Sequence, residues 1–490
     1  MAEEENFMCF KKKGLFLLAG LVLMFTFVLV GCGDDADGGE AVVGNEGTEA
    51  DIDTNIDADT DTDTDEVVYL TLGEGDQVIN LWSFTDEVPN MMEMFLGNNP
   101  EYAERYRVEV TIIADTDGAY MIALDQALES GRDRDVPHIF TAEAAFALRY
   151  TQGTMAHHAL PYAELGIDVD RLVNEAAIAS YAIEIGTRDG DIVGLGFQAT
   201  GGAMIYRRGI AQSVFGTDDP AAIQNIVGPG WDRFLDAARQ LNEAGYAAVS
   251  GAGDLWQVIR TSGSPWVVDG ELVIDPVRAD FMTLHHALYN EGLMNDANSW
   301  TPAWNADMGG LGEREVFAFF GPAWLINFVM ANHAGDTYGD WAVAVPPTGF
   351  FWGGTWLMAH ESLPEETRGF VGSFIEWVTL DSSTDGLQYL WANGLFNPDS
   401  DVRDVVASDA VMDISNGEIS FLGGQNMFEV FAPAGHYADG NALTEYDLLI
   451  NDWFIDQSQL YASGEKTREE AIRDFMRQVA DNTAITVNFD

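Results

Sequence analysis

The hydrophobic positions divide the chain into an apolar leader, a polar stretch and a long body in which strand-like and helix-like patterns alternate. Val78 to Phe84 is an apolar run of strand length, and Val108 to Ile113 alternates apolar with polar residues. The segment between them, Met91 to Tyr106, has helical character. Because strand, helix and strand in this order form a βαβ unit, the pattern predicts a parallel sheet.

Three later segments have the periodicity or the end signals of amphipathic helices. Trp231 to Ala244 places its apolar residues on one helical face and is followed by Gly245, a residue type common just after helices. The segments Ser362–Glu365 and Thr467–Glu470 have the spacing of capping boxes, which predicts a helix start at each. We expect an α/β protein whose sheets are covered by helices and which is too large for one lobe.

The apolar leader has the organisation of an export signal. Lys11–Lys13 precede an apolar run from Gly14 to Gly31, which as a helix would span ~27 Å. Leu29–Cys32 resembles the lipobox of bacterial lipoproteins, which predicts a signal peptide over 1–31 and a lipidated Cys32 that anchors the protein outside the cytoplasm. An uncleaved membrane anchor, the alternative, also leaves the body outside, because Lys-rich flanks stay on the cytoplasmic side.

Residues 32–66 have the composition of a tether. From 33 to 66 there are 14 acidic residues and no aromatic residue, Lys or Arg. Such a stretch cannot bury enough apolar surface to offset its ordering entropy, so we expect it to be disordered and self-repelling. Asn55 to Glu66 has acidic or amide residues at the ligand positions of an EF-hand loop, but Thr60 stands where Gly is required. A solvated charge run is therefore favoured over a calcium site.

Charge and cysteine content exclude several classes of function. The 490 residues include 80 Asp and Glu against 23 Lys and Arg, a net charge of −57. A nucleic-acid interface needs cationic counter-charge, so nucleic acid is excluded as the main partner. The two Cys residues, Cys9 and Cys32, precede the body, which excludes a disulfide or a Cys-ligated metal there. The acidic surface suits an external milieu of high salt or high pH.

The sequence lacks the common catalytic motifs. It contains no G-x-S-x-G elbow, no H-E-x-x-H and no Walker loop. The adjacent pairs His157-His158 and His285-His286 point their side chains to different sides of a helix or strand, so we do not expect either pair to chelate a metal. We therefore predict no catalytic residue, no metal site and no cofactor.

An ordered series of motifs runs through the body. Its members are Ile79–Phe84, Leu124–Gly131, Pro137–Phe140, Tyr150–Gly153, Gly190–Leu195, Gly201–Arg208, Asp218–Pro220, Trp231–Phe234, Phe320–Trp324, Trp341–Pro347 and Gly353–Gly354. The series resembles the family 1 extracellular solute-binding proteins, the carbohydrate receptors of ABC importers, over essentially all of 67–490. His138 departs from the usual Asp of the family, and Trp324 lies one place beyond its usual tryptophan.

The resemblance implies two α/β lobes joined by three crossovers, with a ligand cleft that closes by a hinge motion. The crossovers map to Gln198–Gly202, Pro346–Gly349 and Asn393–Pro398. We thus expect one lobe from 67–200 and 347–393, and a second from 201–346 and 394–490. The resemblance also implies an ABC permease and its ATPase as partners, and we expect a monomer.

The chemistry of a sugar indicates which residues could bind it. A sugar ring has a flat apolar C–H face and a rim of hydroxyls, so its site needs aromatic platforms and planar hydrogen-bonding groups. The predicted platforms are Trp82, Trp256, Trp324 and Trp356. The predicted polar rim is Thr85, Asp86, Glu143, Gln198 and Asp254, with Gly353 and Gly354 allowing backbone N–H groups to approach a hydroxyl.

The sequence therefore predicts a lipid-anchored extracytoplasmic receptor that binds a mono- or oligosaccharide and delivers it to an importer without doing chemistry. A peptide or polyamine receptor on the same fold is an alternative, because polyamines would suit acidic pockets. A secreted glycoside hydrolase also stays open, since two of the many carboxylates could lie ~5–10 Å apart in the fold.

Overall fold

The computed structural model describes residues 67–115, 118–130, 136–396 and 402–489. The predicted signal peptide, the lipidated Cys32, the tether with its EF-hand-like segment, and the end of the third crossover at 397–398 lie outside the described residues. Within the described ranges, none of the helices combines the length and the apolar character that a membrane span requires.

The described residues alternate short strands with helices. The strands are β1 Val68–Leu72, β2 Gln77–Ser83, β3 Tyr106–Ile112, β4 Ile139–Glu143, β5 Thr187–Arg188, β6 Asp191–Ile192, β7 Gly194–Gly196, β8 Ala203–Arg207, β9 Val267–Val268, β10 Glu271–Leu272, β11 Ala318–Gly321, β12 Trp341–Ala344 and β13 Thr355–Ala359. The first helices are α1 Glu87–Asn98, α2 Pro100–Arg105, α3 Ala119–Ser130, α4 Ala144–Thr151, α5 Val169–Ala176, α6 Ser180–Gly186, α7 Arg208–Phe215, α8 Pro220–Val227, α9 Trp231–Glu243 and α10 Ala252–Ile259. The later helices are α11 Pro276–Asn290, α12 Pro302–Met308, α13 Ala331–His333, α14 Glu365–Thr379, α15 Leu387–Ala392, α16 Asp409–Met412, α17 Phe428–Ala434, α18 Asp447–Ala462 and α19 Arg468–Asn482.

Shorter helical turns complete the structure. The 3₁₀ turns are Ala156–His158, Tyr162–Leu165, Gly335–Thr337, Ser420–Leu422, Gly435–Tyr437 and Gly440–Ala442. A π-helical segment, Leu325–Met330, leads directly into α13. Such segments are often found at functional sites.

The first lobe is built on a six-stranded sheet of order β1-β3-β2-β4-β13-β7. β2 pairs in parallel with β3 and with β4, which confirms the βαβ unit predicted from the sequence. The predicted helix is divided in two at Asn99, because Pro100 has no backbone N–H and starts a new helix instead of continuing α1. A hydrophobic cluster around this sheet, including Ile79, Leu81 and Val108, forms the core of the lobe.

The second lobe is built on a three-stranded antiparallel sheet of order β11-β8-β12. β8 is buried along its whole length, as expected for a central strand covered on both faces. A second hydrophobic cluster surrounds this sheet and includes residues of α9, α10, α11, α18 and α19. The chain passes from β7 of the first sheet to β8 of the second, and returns from β12 to β13.

The segments that connect the two lobes pair with one another. Gly201 forms an isolated antiparallel bridge with Phe351, and Gln198 forms another with Val406. The Trp352 N–H donates to the Thr200 carbonyl at 3.0 Å. The predicted two-lobed fold is therefore confirmed. The pairing in the second connection falls at Phe351, beyond the predicted Pro346–Gly349, and the pairing in the third falls at Val406, beyond the predicted Asn393–Pro398. The residue boundaries given above for the lobes stay a prediction.

The helix ends predicted from the sequence are confirmed at two places. α9 begins at Trp231 and is followed by Gly245 with a φ of +91°. Thr467 caps α19 and forms a capping box with Glu470.

The capping box predicted at Ser362–Glu365 is wrong. α14 begins only at Glu365, with Pro364 as its N-cap. The residue before a proline is disfavoured in helical conformation, so Leu363 cannot be the first residue of a helix capped by Ser362. The Ser362 hydroxyl instead lies 2.7 Å from His360 Nδ1.

Candidate ligand-binding site

Glu143 lies where the first lobe meets the segment that enters it from the second lobe. It is the last residue of β4 and caps α4, and its Oε2 accepts a hydrogen bond from the Ala145 N–H at 2.6 Å. Thr355 of β13 lies opposite Glu143 in the sheet. This register brings the preceding residues, Gly353 and Gly354, alongside the carboxyl group.

Gly353 has close neighbours from both lobes. Its φ of +74° lies in the left-handed region, which favours glycine. A Cβ at this position would lie 3.3 Å from Glu143 Oε1 and 3.3 Å from Trp324 Nε1. The Thr200 hydroxyl donates to the Gly353 carbonyl at 2.8 Å and so fixes the peptide. The structure therefore brings together Glu143, Trp324 and Gly353, three of the residues that we predicted from the sequence to bind the ligand.

Three indole rings form the apolar part of this site. The ring of Trp324 meets that of Trp352 edge to face at 4.8 Å between centroids, and its Nε1 donates to the Trp352 carbonyl at 3.0 Å. Trp300 lies parallel to Trp324, with centroids 6.1 Å apart and planes at 7°. Trp300 has a φ of +67°, which is rare for a residue other than glycine and requires support from the surrounding structure. We name Trp300, Trp324 and Trp352 the indole cluster.

Arg260 places a cation from the second lobe near Glu143. Burial raises the pKa of Glu143 to about 7, while the Ala145 N–H and the Arg260 guanidinium oppose the rise. Burial also lowers the pKa of Arg260 from its ordinary value. Arg260 Nε and Asp115 Oδ1 are buried and have no hydrogen-bond partner among the described residues. Because buried polar atoms normally have partners, these two atoms are available to the polar groups of a ligand.

Gln198 lies in the first connecting segment and pairs with an acid of the third. Its Nε2 donates to Asp404 Oδ2 at 3.3 Å, and both side chains are buried. Burial raises the pKa of Asp404 to about 7, against the hydrogen bonds from the Val405 N–H and from Gln198. The structure therefore places Gln198 in the hinge, where it contacts another connecting segment.

The predicted polar residues after β2 lie at the start of α1. Asp86 is exposed, and Thr85 Oγ1 accepts a hydrogen bond from the Glu87 N–H at 3.4 Å. The pKa of Glu87 is raised well above its ordinary value by burial and by the charges of Asp404 and Asp86. Glu87 Oε1 has no hydrogen-bond partner among the described residues. Glu87 therefore joins Asp404 in an acidic pair beside the hinge.

Asp254 lies in the core of the second lobe. It is only 2% exposed and accepts hydrogen bonds from the Ser250 and Gly251 N–H groups and, at 2.9 Å, from Trp304 Nε1. Burial raises its pKa to about 7. With both oxygens engaged inside the protein, Asp254 is not part of the group around Gly353. It fixes Trp304, whose ring lies 5.4 Å from that of Trp300.

Two of the tryptophans predicted to stack on a sugar, Trp256 and Trp356, lie in the hydrophobic core, as Asp254 does. Trp256 is 3% exposed and stacks on Phe454 at 5.2 Å. Trp356 is fully buried and donates from Nε1 to the Ala182 carbonyl at 3.1 Å. Its ring lies 3.2 Å from the position that a Cβ of Gly354 would occupy, so it packs against the backbone of Gly353 and Gly354. Neither indole presents a face to a ligand in this conformation.

Trp82 is half-buried on β2 and packs against the edge of the first hydrophobic cluster. Its carbonyl accepts a hydrogen bond from the Tyr120 hydroxyl at 3.2 Å. Of the predicted platforms, Trp82 and Trp324 thus keep part of their indole surface exposed.

The sequence reasoning missed several residues of this site. They are Glu87, Asp115, Gln257, Arg260, Trp300 and Trp352. Gln257 lies on α10 and Arg260 directly follows this helix; both side chains are partly exposed, whereas Trp256 is buried in the core. Gln257 Oε1 is a further buried acceptor that has no partner within the described ranges. Helical spacing does not distinguish these side chains from Trp256, because Trp256 and Arg260 are four residues apart and share a face by the same rule.

Comparison with solved structures places this fold among binding proteins. A crystal structure of an extracellular solute-binding protein of family 1 has a TM-score of 0.65 at 18% identity, and the match covers 83% of this chain and all of that one. The galacto-N-biose/lacto-N-biose I-binding protein of an ABC transporter from Bifidobacterium longum, in complex with lacto-N-biose, has a TM-score of 0.61 at 13% identity, over 85% and 100% of the two chains. At these identities the likeness concerns the fold.

A third solved structure has the same architecture. It is the ABC substrate-binding protein Lmo0181 from Listeria monocytogenes in complex with cycloalternan, with a TM-score of 0.59 at 14% identity over 84% of this chain and 100% of that one. None of the curated proteins matches the sequence significantly.

The sequence itself matches a described family. Residues 100–412 match the bacterial extracellular solute-binding proteins. This family and fold are those of proteins that bind substrates, which agrees with the expectation that the chain is not an enzyme. Because the match extends over more than half of the sequence, the chain belongs to the family of bacterial extracellular solute-binding proteins.

Proposed function

We propose that this protein is a lipid-anchored extracytoplasmic receptor that binds a mono- or oligosaccharide between its two lobes and delivers it to an ABC importer permease and its ATPase. The observation that carries the proposal is the group around Gly353, where Glu143 of the first lobe and Trp324 of the second both approach the same backbone. A ligand held there contacts both lobes at once.

The chemistry of this group suits a sugar. The indole cluster supplies flat apolar surface for C–H faces, and the Glu143 carboxyl accepts hydrogen bonds from hydroxyls. The Arg260 guanidinium, with an unpartnered Nε, donates to ring or hydroxyl oxygens. The saccharide ligands of the Bifidobacterium and Listeria proteins support the same ligand class.

The segments that connect the two lobes support the proposed delivery to an importer. Three connecting segments pair at Gly201, Phe351 and Val406, so a change of lobe angle requires only local backbone rotation. The closed form is the one that presents both lobes to a permease. The lipid anchor is proposed from the lipobox at Leu29–Cys32, and lipidation of Cys32 would hold the receptor beside its permease.

A polyamine is the second candidate ligand, and one observation favours it. Several carboxyl groups lie near this site: Arg260 interacts with the charges of Glu143, Asp447 and Asp452, and Glu87 interacts with Asp404 beside the hinge. Together with indole faces, such groups also bind ammonium ions. The salt dependence of the affinity distinguishes the two ligands, because salt screens the attraction between ammonium and carboxylate groups but does not weaken the stacking of a sugar on an indole.

A thermal-shift panel of saccharides, peptides and polyamines tests the proposal. A ligand at ~100 times its dissociation constant adds ~2.7 kcal/mol to the free energy of unfolding. We expect at least one saccharide to raise Tm to the same extent at low and high salt. If spermidine alone stabilises the protein, and does so only at low salt, the ligand is a polyamine and not a sugar. Hydrolysis of a glycoside by the purified protein would indicate an enzyme.

A further inference from the structure

A second cluster of polar side chains lies in the first lobe, away from the ligand-binding site. An open pocket of about 590 Å³ is lined by His157, His158, His360, Glu361 and Ser362, among others. Three of the eight histidines of the chain thus line one pocket. Imidazole nitrogen and carboxylate oxygen are the ligands that zinc prefers when cysteine is absent.

The spacing of the ligand atoms fits a single metal ion. One ligand atom each from His158, His360 and Glu361 lies within 4.8 Å of the other two. His158 Nδ1 and His360 Nε2 are 3.2 Å apart. Two nitrogens bound to tetrahedral Zn²⁺ at ~2.0–2.1 Å are separated by ~3.3 Å, so the two rings already stand at the separation that a shared zinc ion requires.

The backbone holds these side chains in place. Ala159 and His360 form an antiparallel bridge, and the Glu361 N–H donates to the His158 carbonyl at 2.8 Å. The Leu160 N–H donates to the Ala359 carbonyl at 2.8 Å. Because both segments are fixed by main-chain hydrogen bonds, little ordering entropy is lost when a metal binds.

Ser362 supports the ring of His360. Its hydroxyl lies 2.7 Å from His360 Nδ1, and its backbone N–H donates to the same nitrogen at 3.1 Å. Nδ1 is therefore an acceptor in this conformation, and a metal ion at Nε2 requires the ring proton to move to Nδ1. A metal-binding histidine usually donates its other ring N–H, and after this change of tautomer the Ser362 hydroxyl is the group that accepts it. His158 and His360 are both buried, whereas Glu361 is exposed at the mouth of the pocket.

We propose that His158, His360 and Glu361 bind one divalent transition-metal ion, with Zn²⁺ favoured, and that water completes its coordination. Ca²⁺ and Mg²⁺ are disfavoured because they prefer oxygen ligands. The sequence could not indicate this site, because His158 and His360 are 202 residues apart.

The position of the site indicates a structural role. β4 and β13 pair from Glu143↔Thr355 at one end to Ile139↔Ala359 at the other. The ligand-binding site is at the first end and the metal site is at the second, about 13 Å away at ~3.3 Å per residue. A metal there joins the turn at His158 to the strand end at His360, so it stabilises the first lobe and does not contact the cleft ligand.

Titration of the full chain with ZnCl₂ after chelator treatment tests the proposal. We expect one equivalent of Zn²⁺ to bind and to raise Tm, with Mg²⁺ giving no shift. Co²⁺ in place of Zn²⁺ should give the visible absorption of a tetrahedral site. His360→Gln and Glu361→Gln each remove a direct ligand, so each should weaken Zn²⁺ binding by at least the ~10- to 100-fold that loss of an outer-shell partner causes.

The matched control is His333→Gln, which removes a histidine of α13 outside the cluster and should leave Zn²⁺ binding unchanged. Because Glu361 is exposed, Glu361→Gln keeps the test valid even if the change at buried His360 prevents folding. The proposal is overturned if the unmodified chain shows no saturable 1:1 binding. It is also overturned if Glu361→Gln and a folded His360→Gln bind Zn²⁺ as tightly as the unmodified chain.

Discussion

The indole rings of Trp300 and Trp324 lie parallel, with centroids 6.1 Å apart and planes at 7°. This centroid separation lies within the ~4.5–7 Å range of aromatic pairs, so the two rings are stacked with an offset. Trp300 reaches this position with a backbone φ of +67°. Strained backbone of this kind is concentrated at functional sites, where the surrounding structure supports it. The strained backbone of Trp300, together with the half-buried ring of Trp324, supports our proposal that the indole cluster is a ligand platform.

Removal of the Trp324 indole should weaken sugar binding and leave the fold intact. Trp324→Ala deletes a half-buried face and the hydrogen bond to the Trp352 carbonyl, and loss of a central tryptophan in a binding site commonly reduces affinity by ~30-fold, or ~2 kcal/mol. Isothermal titration calorimetry measures the change. The control is Trp377→Ala, which removes an indole that packs on Phe95 in the first lobe. Equal affinities in the two variants would argue against the platform.

Gly353→Ala should reduce both stability and ligand affinity. The added methyl group would stand 3.3 Å from Glu143 Oε1 and from Trp324 Nε1, on a backbone with a φ of +74°. Left-handed backbone costs a non-glycine residue ~1–2 kcal/mol. Gly464→Ala is the matched control, since its φ is +81° and nothing lies within 4 Å of the new methyl group. We expect similar losses of Tm, and a loss of affinity in Gly353→Ala alone.

Ligand binding should depend on pH through Glu143. Its pKa is about 7, so the carboxyl becomes protonated as the pH falls through 7 and loses acceptor strength toward the ligand hydroxyls. We expect affinity to fall by about 10-fold from pH 8 to pH 5.5, given 1.4 kcal/mol per factor of ten. Glu143→Gln should keep, at every pH, the weak affinity that the unmodified protein shows at pH 5.5, so its affinity should depend less on pH. An unchanged profile in Glu143→Gln would assign the titration to another group.

Asp404 should make the protein less stable as the pH rises. Its pKa is raised to about 7 in the folded state, against an unfolded value of ~3.9. The folded state therefore binds more protons than the unfolded state between about pH 4 and pH 7, and stability falls as the pH rises through this window. Asp404→Asn should make the fall shallower by up to ~1.4 kcal/mol per pH unit. Urea unfolding from pH 4.5 to pH 7.5 measures the slope.

A control for this prediction is Asp219→Asn, because Asp219 caps α8 and lies near the surface. Because Asn caps a helix about as well as Asp, this variant should keep both the stability and its slope with pH close to those of the unmodified protein. A slope that is the same in Asp404→Asn and in the unmodified protein would show that Asp404 does not titrate in this range.

Local sequence signals predicted the parts of the fold that local physics determines. The βαβ unit from Val78 to Ile113, the helix at Trp231 and the capping box at Thr467 all follow from residue patterns within a few turns. The capping box at Ser362 failed because Pro364 restricts the residue before it. The assignment of chain segments to two lobes came from the resemblance to a family, because hydrophobic periodicity alone does not indicate which strands share a sheet.

The site was predicted less well, for a geometric reason. Composition identifies an indole or a carboxyl group but not the direction in which it points. In α10 and just after it, Trp256 and Asp254 are buried, while Gln257 and Arg260 keep partial exposure. Helical spacing does not separate the two sets, because Trp256 and Arg260 are four residues apart. Trp300 and Trp352 come from loops whose course depends on the packing of the two lobes. Such long-range relationships are not visible in a single sequence.

Calorimetric titration with a panel of mono- and oligosaccharides, followed by mass spectrometry of the recovered ligand, tests the central claim most directly. We predict saturable 1:1 binding of at least one saccharide, loss of affinity in Trp324→Ala, and recovery of the ligand with its mass unchanged. Absence of binding by every saccharide while spermidine binds, or recovery of a cleaved saccharide, would contradict the account.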